Sequence, residues 1–152
     1  MISTLQLQPN QDEVNGMIRN ILAVLVGLVA GMAFNMLIVM LSTVLYPMPE
    51  GVGFNDREGL AAYIETLPVT AFLIVMLAHL GQAFVGGWIA AIISRNASML
   101  VAMIVGSLSM IAGIYNLATM PVPAWMWVEV PLYLIAAYAA ARIELSRRPV
   151  IT

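Results

Sequence analysis

The sequence predicts an all-α integral membrane bundle of four transmembrane helices with a short helix at the outer interface. Composition is the first ground: 62% of the 152 residues are hydrophobic and only 9% are charged, against roughly 25% charged in soluble domains. Mean hydropathy is +0.95. The second ground is a long uncharged segment, Pro68–Arg95, in which no Asp, Glu, Lys or Arg falls between Glu65 and Arg95. At ~1.5 Å rise per residue such a helix exceeds the ~30 Å of bilayer hydrocarbon. The third ground is punctuation, because Pro-x-Pro pairs and very short polar links divide the remaining apolar sequence into further runs of spanning length.

Residues 1–17 are polar, rich in Gln and Asn, and lack the basic start and small-residue cleavage site of a secretory signal. They are expected to form a cytoplasmic tail. The first span is read over about 18–46, where Gly27 and Gly31 form GxxxG and Asn35 continues the same face. Small residues at that spacing let two helix backbones approach closely. Pro47 and Pro49 end this span and open an outer loop over 47–67. Within it Asn55 and Glu58 have capping-box spacing. Leu60, Tyr63, Ile64 and Leu67 then follow the i, i+3, i+4, i+7 pattern of an amphipathic helix at the membrane surface.

The second span, 68–94, carries the sole histidine, His79, with Gln82 and Gly86 on its face and Gly87 in a second small-residue stripe. A very short link at Arg95–Ala97 forces an antiparallel hairpin into the third span, 99–120, where Gly106, Ser109, Gly113 and Asn116 share one face. Pro121 and Pro123 end it. The fourth span, 124–142, opens with Trp125 and Trp127, residues suited to the interfacial aromatic belt, and places Glu129 one turn further in. Residues 144–152 form a second cytoplasmic tail. Five of the six basic residues (Arg19, Arg95, Arg142, Arg147, Arg148) fall at one end of the bundle and only Arg57 at the other. The positive-inside rule therefore predicts that both termini are cytoplasmic.

Ionisable groups within a membrane are costly and are functional hypotheses by default. Two qualify, His79 and Glu129. With Asn35, Gln82 and Asn116 they form a possible intramembrane polar site, with Tyr115 and Tyr133 nearby; a Glu–His pair there would relay protons or hold a cation. Polar residues of this kind equally serve as interhelical hydrogen-bond glue. No HExxH, GxSxG, P-loop or CxxC motif is present, so no catalytic residue is assigned. One histidine and no cysteine supply neither a thiolate metal site nor paired haem ligands, so no metal or cofactor is expected. The net charge of −2 argues against nucleic acid as a partner.

Leu77-Ala78-His79 with Gly86-Gly87, followed by Asn116 and then Pro121-Val122-Pro123-Ala124-Trp125, resembles a family of small four-span proteins of bacterial inner membranes. That family has no assigned activity, so the resemblance implies a fold and a location only. The leading expectation is a non-enzymatic accessory or structural subunit, or a homo-oligomer, packed through Gly27, Gly31, Gly86, Gly87, Gly106 and Gly113. Its partners would be the lipid bilayer, a second copy, or a larger membrane protein. The alternative is a small transporter or channel with a proton- or cation-binding site at Glu129 and His79.

Overall fold

A computed structural model describes residues 10–53 and 55–148. The described chain is helical with no strand, and four of its helices are long and apolar enough to cross a membrane. Helix α1 spans Gln11–Leu45, α2 Arg57–Thr66, α3 Val69–Ile93, α4 Ser98–Thr119 and α5 Glu129–Arg147; a 3-10 turn, Ala124–Val128, leads into α5. Helix α3 packs on each of the other three spans, and α1 rests chiefly on α3 while α5 packs on α3 and α4.

The helices meet through small residues. A Cβ added at Gly27 would lie 2.5 Å from the Gly86 carbonyl oxygen and 2.9 Å from Ala90 Cβ, and one at Gly31 would lie 2.5 Å from the Gln82 carbonyl oxygen. The α1–α3 seam is therefore a backbone-to-backbone approach. Between α4 and α5, Gly106 faces Ala137 and Gly113 faces the Tyr133 ring, while Gly87 of α3 lies against Ala137 and Ala102. Lipid tails are as apolar as Leu, so helices in a bilayer gain from close packing rather than from hiding apolar surface. The core accordingly consists mostly of Ala, Gly and Val, whereas the large aliphatic residues of α1 point outward.

Two helices run beyond the membrane spans read from the sequence, and one cap differs. Helix α1 begins at Gln11, ahead of the span read over about 18–46, because Asn10 caps it through the Asp12 N–H and Asp12 and Glu13 occupy its first turn, where the helix dipole favours acids. The cap of α2 is Asp56, not Asn55: Asp56 Oδ1 accepts from the Gly59 N–H at 3.0 Å. Helix α5 continues past residue 142 to Arg147. Its extension lets Arg148 donate to the carbonyls of Ala91 at 2.6 Å, Ser94 at 3.0 Å and Arg95 at 3.2 Å, satisfying the C-terminal end of α3. Residues 1–9 and 149–152, parts of the two predicted tails, lie outside the described residues.

The two ends of the bundle are built differently. At the arginine-rich end, Ser94 Oγ donates to Asn20 Oδ1 at 2.7 Å and Arg19 donates to Asn96 Oδ1 at 2.8 Å, fastening α1 to the α3–α4 turn. At the opposite end, Tyr63 OH donates to the Tyr46 carbonyl at 2.6 Å and Tyr46 OH pairs with Thr70 Oγ1 at 2.7 Å. These bonds tie α2 to the ends of α1 and α3. Burial holds the Tyr63 phenol above its ordinary range, so it remains a donor.

Candidate functional site

The chain places a buried Glu–His pair between α3 and α5. His79 lies ten residues into α3, ~15 Å from its start at 1.5 Å per residue, and is 8% exposed. Its Nδ1 is 3.0 Å from Glu129 Oε1, and Glu129 is fully buried. Local sequence explains how a carboxylate comes to sit there. Pro121 and Pro123 stop α4, the 3-10 turn carries the chain inward, and Glu129 becomes the first residue of α5. The positive end of a helix dipole favours a carboxylate at that position. Pro131 falls in the first turn, where its missing N–H breaks no helical bond.

The donor and acceptor roles follow from the network. A carboxylate accepts only, so a carboxylate at Glu129 requires a proton on His79 Nδ1. Nε2 then carries a lone pair and accepts from Asn116 Nδ2 at 3.4 Å, a long bond. Tyr133 OH donates to the same Glu129 oxygen at 3.4 Å, and its ring stacks on His79 with centroids 6.3 Å apart. Glu129 Oε2 is buried without a partner, as is Asn35 Oδ1.

His79 and Asn35 both line a cavity of about 430 Å³, within the size range of small-molecule sites. It lies beneath α2, whose Leu60, Tyr63 and Ile64 close one side; Phe72 of α3 and Met126 of the 3-10 turn supply further apolar wall. Glu129 stands behind His79, away from the cavity surface, so the imidazole separates the carboxylate from the cavity.

Of the residues named from sequence, His79, Asn116 and Glu129 form one hydrogen-bonded chain. Asn35 lines the same cavity without bonding to them. Gln82 stands apart: its Nε2 is 3.5 Å from Ser109 Oγ and its backbone abuts Gly31. Tyr115 turns away from the site: it is 72% exposed and lines a neighbouring groove with Arg57. Tyr46, Phe72 and Met126 were not foreseen as cavity residues, because only the folding of α2 and the 3-10 turn over the bundle brings them together. The apolar face of α2 was the sequence signal that something lay beneath it.

No protein-family model, curated protein or solved structure matches the chain. Its four long apolar helices fit a small multi-pass membrane protein. Among the described residues no group of three or more His, Cys, Asp or Glu is placed to hold a metal ion. The His79 network joins an imidazole, a carboxylate, an amide and a phenol, and Ser42 and Thr43 line the same cavity.

Proposed function

We propose that this protein is a small membrane carrier or channel whose working group is His79, a proton acceptor at the floor of the cavity, held in orientation by Glu129. The observation carrying this reading is the 3.0 Å contact between Glu129 Oε1 and His79 Nδ1, with the other face of the imidazole turned to Asn116 and the cavity. A carboxylate behind a histidine fixes the tautomer and the orientation of the ring. Asn116 serves both protonation states. Its amide nitrogen donates to neutral Nε2, and rotation of the amide presents its oxygen to a protonated Nε2–H.

The contacts at Gly27, Gly31, Gly86, Gly87, Gly106 and Gly113 are all made within this one chain, which leaves those seams no room for a partner helix. A partner or second copy would use the outer surfaces, such as the ridge of α1 with Val29 and Leu37 or that of α4 with Leu100 and Ile111, all exposed. We further propose a bacterial inner-membrane location with the arginine-rich end in the cytoplasm, which turns the cavity end outward.

The test is a pH jump on purified protein in detergent, with proton uptake read by an indicator dye. On acidification wild type should take up about one proton more than a His79→Ala, Glu129→Gln double variant, which leaves no unpaired buried carboxylate to titrate in its place. Equal uptake by the two proteins would sink the proposal.

A further inference from the structure

We propose that the cavity above His79 binds an amphiphilic organic cation, an apolar body bearing a protonated amine, whose ammonium head competes with the proton on His79. This inference rests on the reading of His79 as a proton acceptor. It adds the class of ligand and the sign of its coupling to protons.

The walls argue for the apolar body. Apolar side chains make most of the lining, among them Met36 and Val39 of α1, Leu60 and Ile64 of α2 and Phe72 and Val75 of α3, so a ligand without an apolar portion would leave that surface in contact with water. The floor argues for the cation. Its polar groups include Asn35 Oδ1, buried and without a partner among the described residues, and His79 Nε2 of the neutral tautomer, whose single lone pair an ammonium would take over from the long 3.4 Å contact with Asn116. An ammonium donates three hydrogen bonds and accepts none, which suits these groups. A carboxylate or phosphate head would bring a second negative charge toward Glu129, and no arginine lines the cavity to balance it; lysine is absent from the sequence.

The charges around the floor are few. From α5, Glu129 and Tyr133 face His79; from α4, Asn116 does, and it does not titrate. The Tyr46 and Tyr63 hydroxyls on α1 and α2 line the cavity toward its α2 end. Arg57 lies on an adjoining groove of about 570 Å³ that shares Leu60, Asn116 and Met120 with the cavity, and it is solvent-exposed. As a carboxylate, Glu129 gives the region behind the floor one negative charge to be balanced. Either a proton on His79 or the ammonium of a ligand balances it, and the two repel each other. Binding of the amine should therefore release the proton, and acid should oppose binding.

The experiment uses the full chain in phosphatidylcholine nanodiscs with radiolabelled dodecylamine, dodecanol and dodecanoate, each corrected for uptake by empty nanodiscs. Dodecylamine alone should bind saturably, and its affinity should fall by up to about tenfold per pH unit on acidification, the limit for one competing proton. Asn35→Leu should weaken it by roughly tenfold, the worth of one hydrogen bond to a charged group. Asn35→Asp, which adds a carboxylate, should tighten it and so guards against a misfolded Asn35→Leu protein. Saturable binding of dodecanol or dodecanoate equal to that of the amine would overturn the cationic assignment. So would a pH-independent affinity. If no amine binds while the proton uptake of His79 persists, the ligand class falls and the proton-acceptor reading stands.

Discussion

Glu129 is the one carboxylate fully buried among the described residues, and its second oxygen has no partner. Removing one member of a buried pair strands the other, which is why such truncations are expensive. Glu129→Ala and His79→Ala should each cost on the order of 3 kcal/mol, whereas the double variant should lose clearly less than the sum of the two. Reversible unfolding in mixed micelles measures all three, and strict additivity would show that the pair is not coupled. The residue types were legible in the sequence, since His79 and Glu129 are the two ionisable side chains inside apolar runs. Their pairing was not. It depends on the 3-10 turn at Ala124–Val128, which sets the depth and rotation of α5, and neither follows from hydropathy.

At the scale of the element, the helix seams and the cap of α2 make separate predictions. Gly27→Ala places a methyl group 2.5 Å from the Gly86 carbonyl, so α1 must move off α3. A loss of roughly 1–3 kcal/mol is expected, the usual cost of overpacking. Gly53→Ala meets nothing within 4 Å and should be close to neutral in the same thermal melt. Equal effects at the two positions would contradict the seam. Helix α2 is held at its start by Asp56. Asp56→Ala should loosen it by about 1 kcal/mol, read as faster amide exchange across Arg57–Thr66, while Asp56→Asn should retain the cap. The GxxxG spacing pointed to a close approach but not to its partner. Asp56 was passed over for its neighbour Asn55 because both residue types cap helices and lie one position apart, and only the backbone turn distinguishes them.

For the whole molecule, the number of spans was readable from composition, apolar run length and proline punctuation, because the bilayer imposes that length on any helix crossing it. Their arrangement was not, because four apolar helices are compatible with several packings. The arrangement found puts α3 in contact with every other span and leaves α1 peripheral, with 17% of its most apolar window buried against 33–39% for the others. Orientation is testable directly, since the chain has no cysteine of its own. A cysteine introduced at Gly53 should react with a membrane-impermeant maleimide added to intact cells, and one at Ser146 should react only after lysis. The reverse pattern would place the cavity end inside.

The proposed function requires Glu129 to hold His79 with its proton on Nδ1 and to leave Nε2 able to accept another. Because the chain has a single histidine, 15N labelling at histidine gives one imidazole spectrum in lipid bilayers, and its two nitrogens report the tautomer and the proton separately. A neutral imidazole protonated at Nδ1 should convert to imidazolium on acidification, with Glu129→Gln abolishing the tautomer preference. A neutral Nε2-protonated imidazole, or a spectrum unmoved by pH, would overturn the proposal.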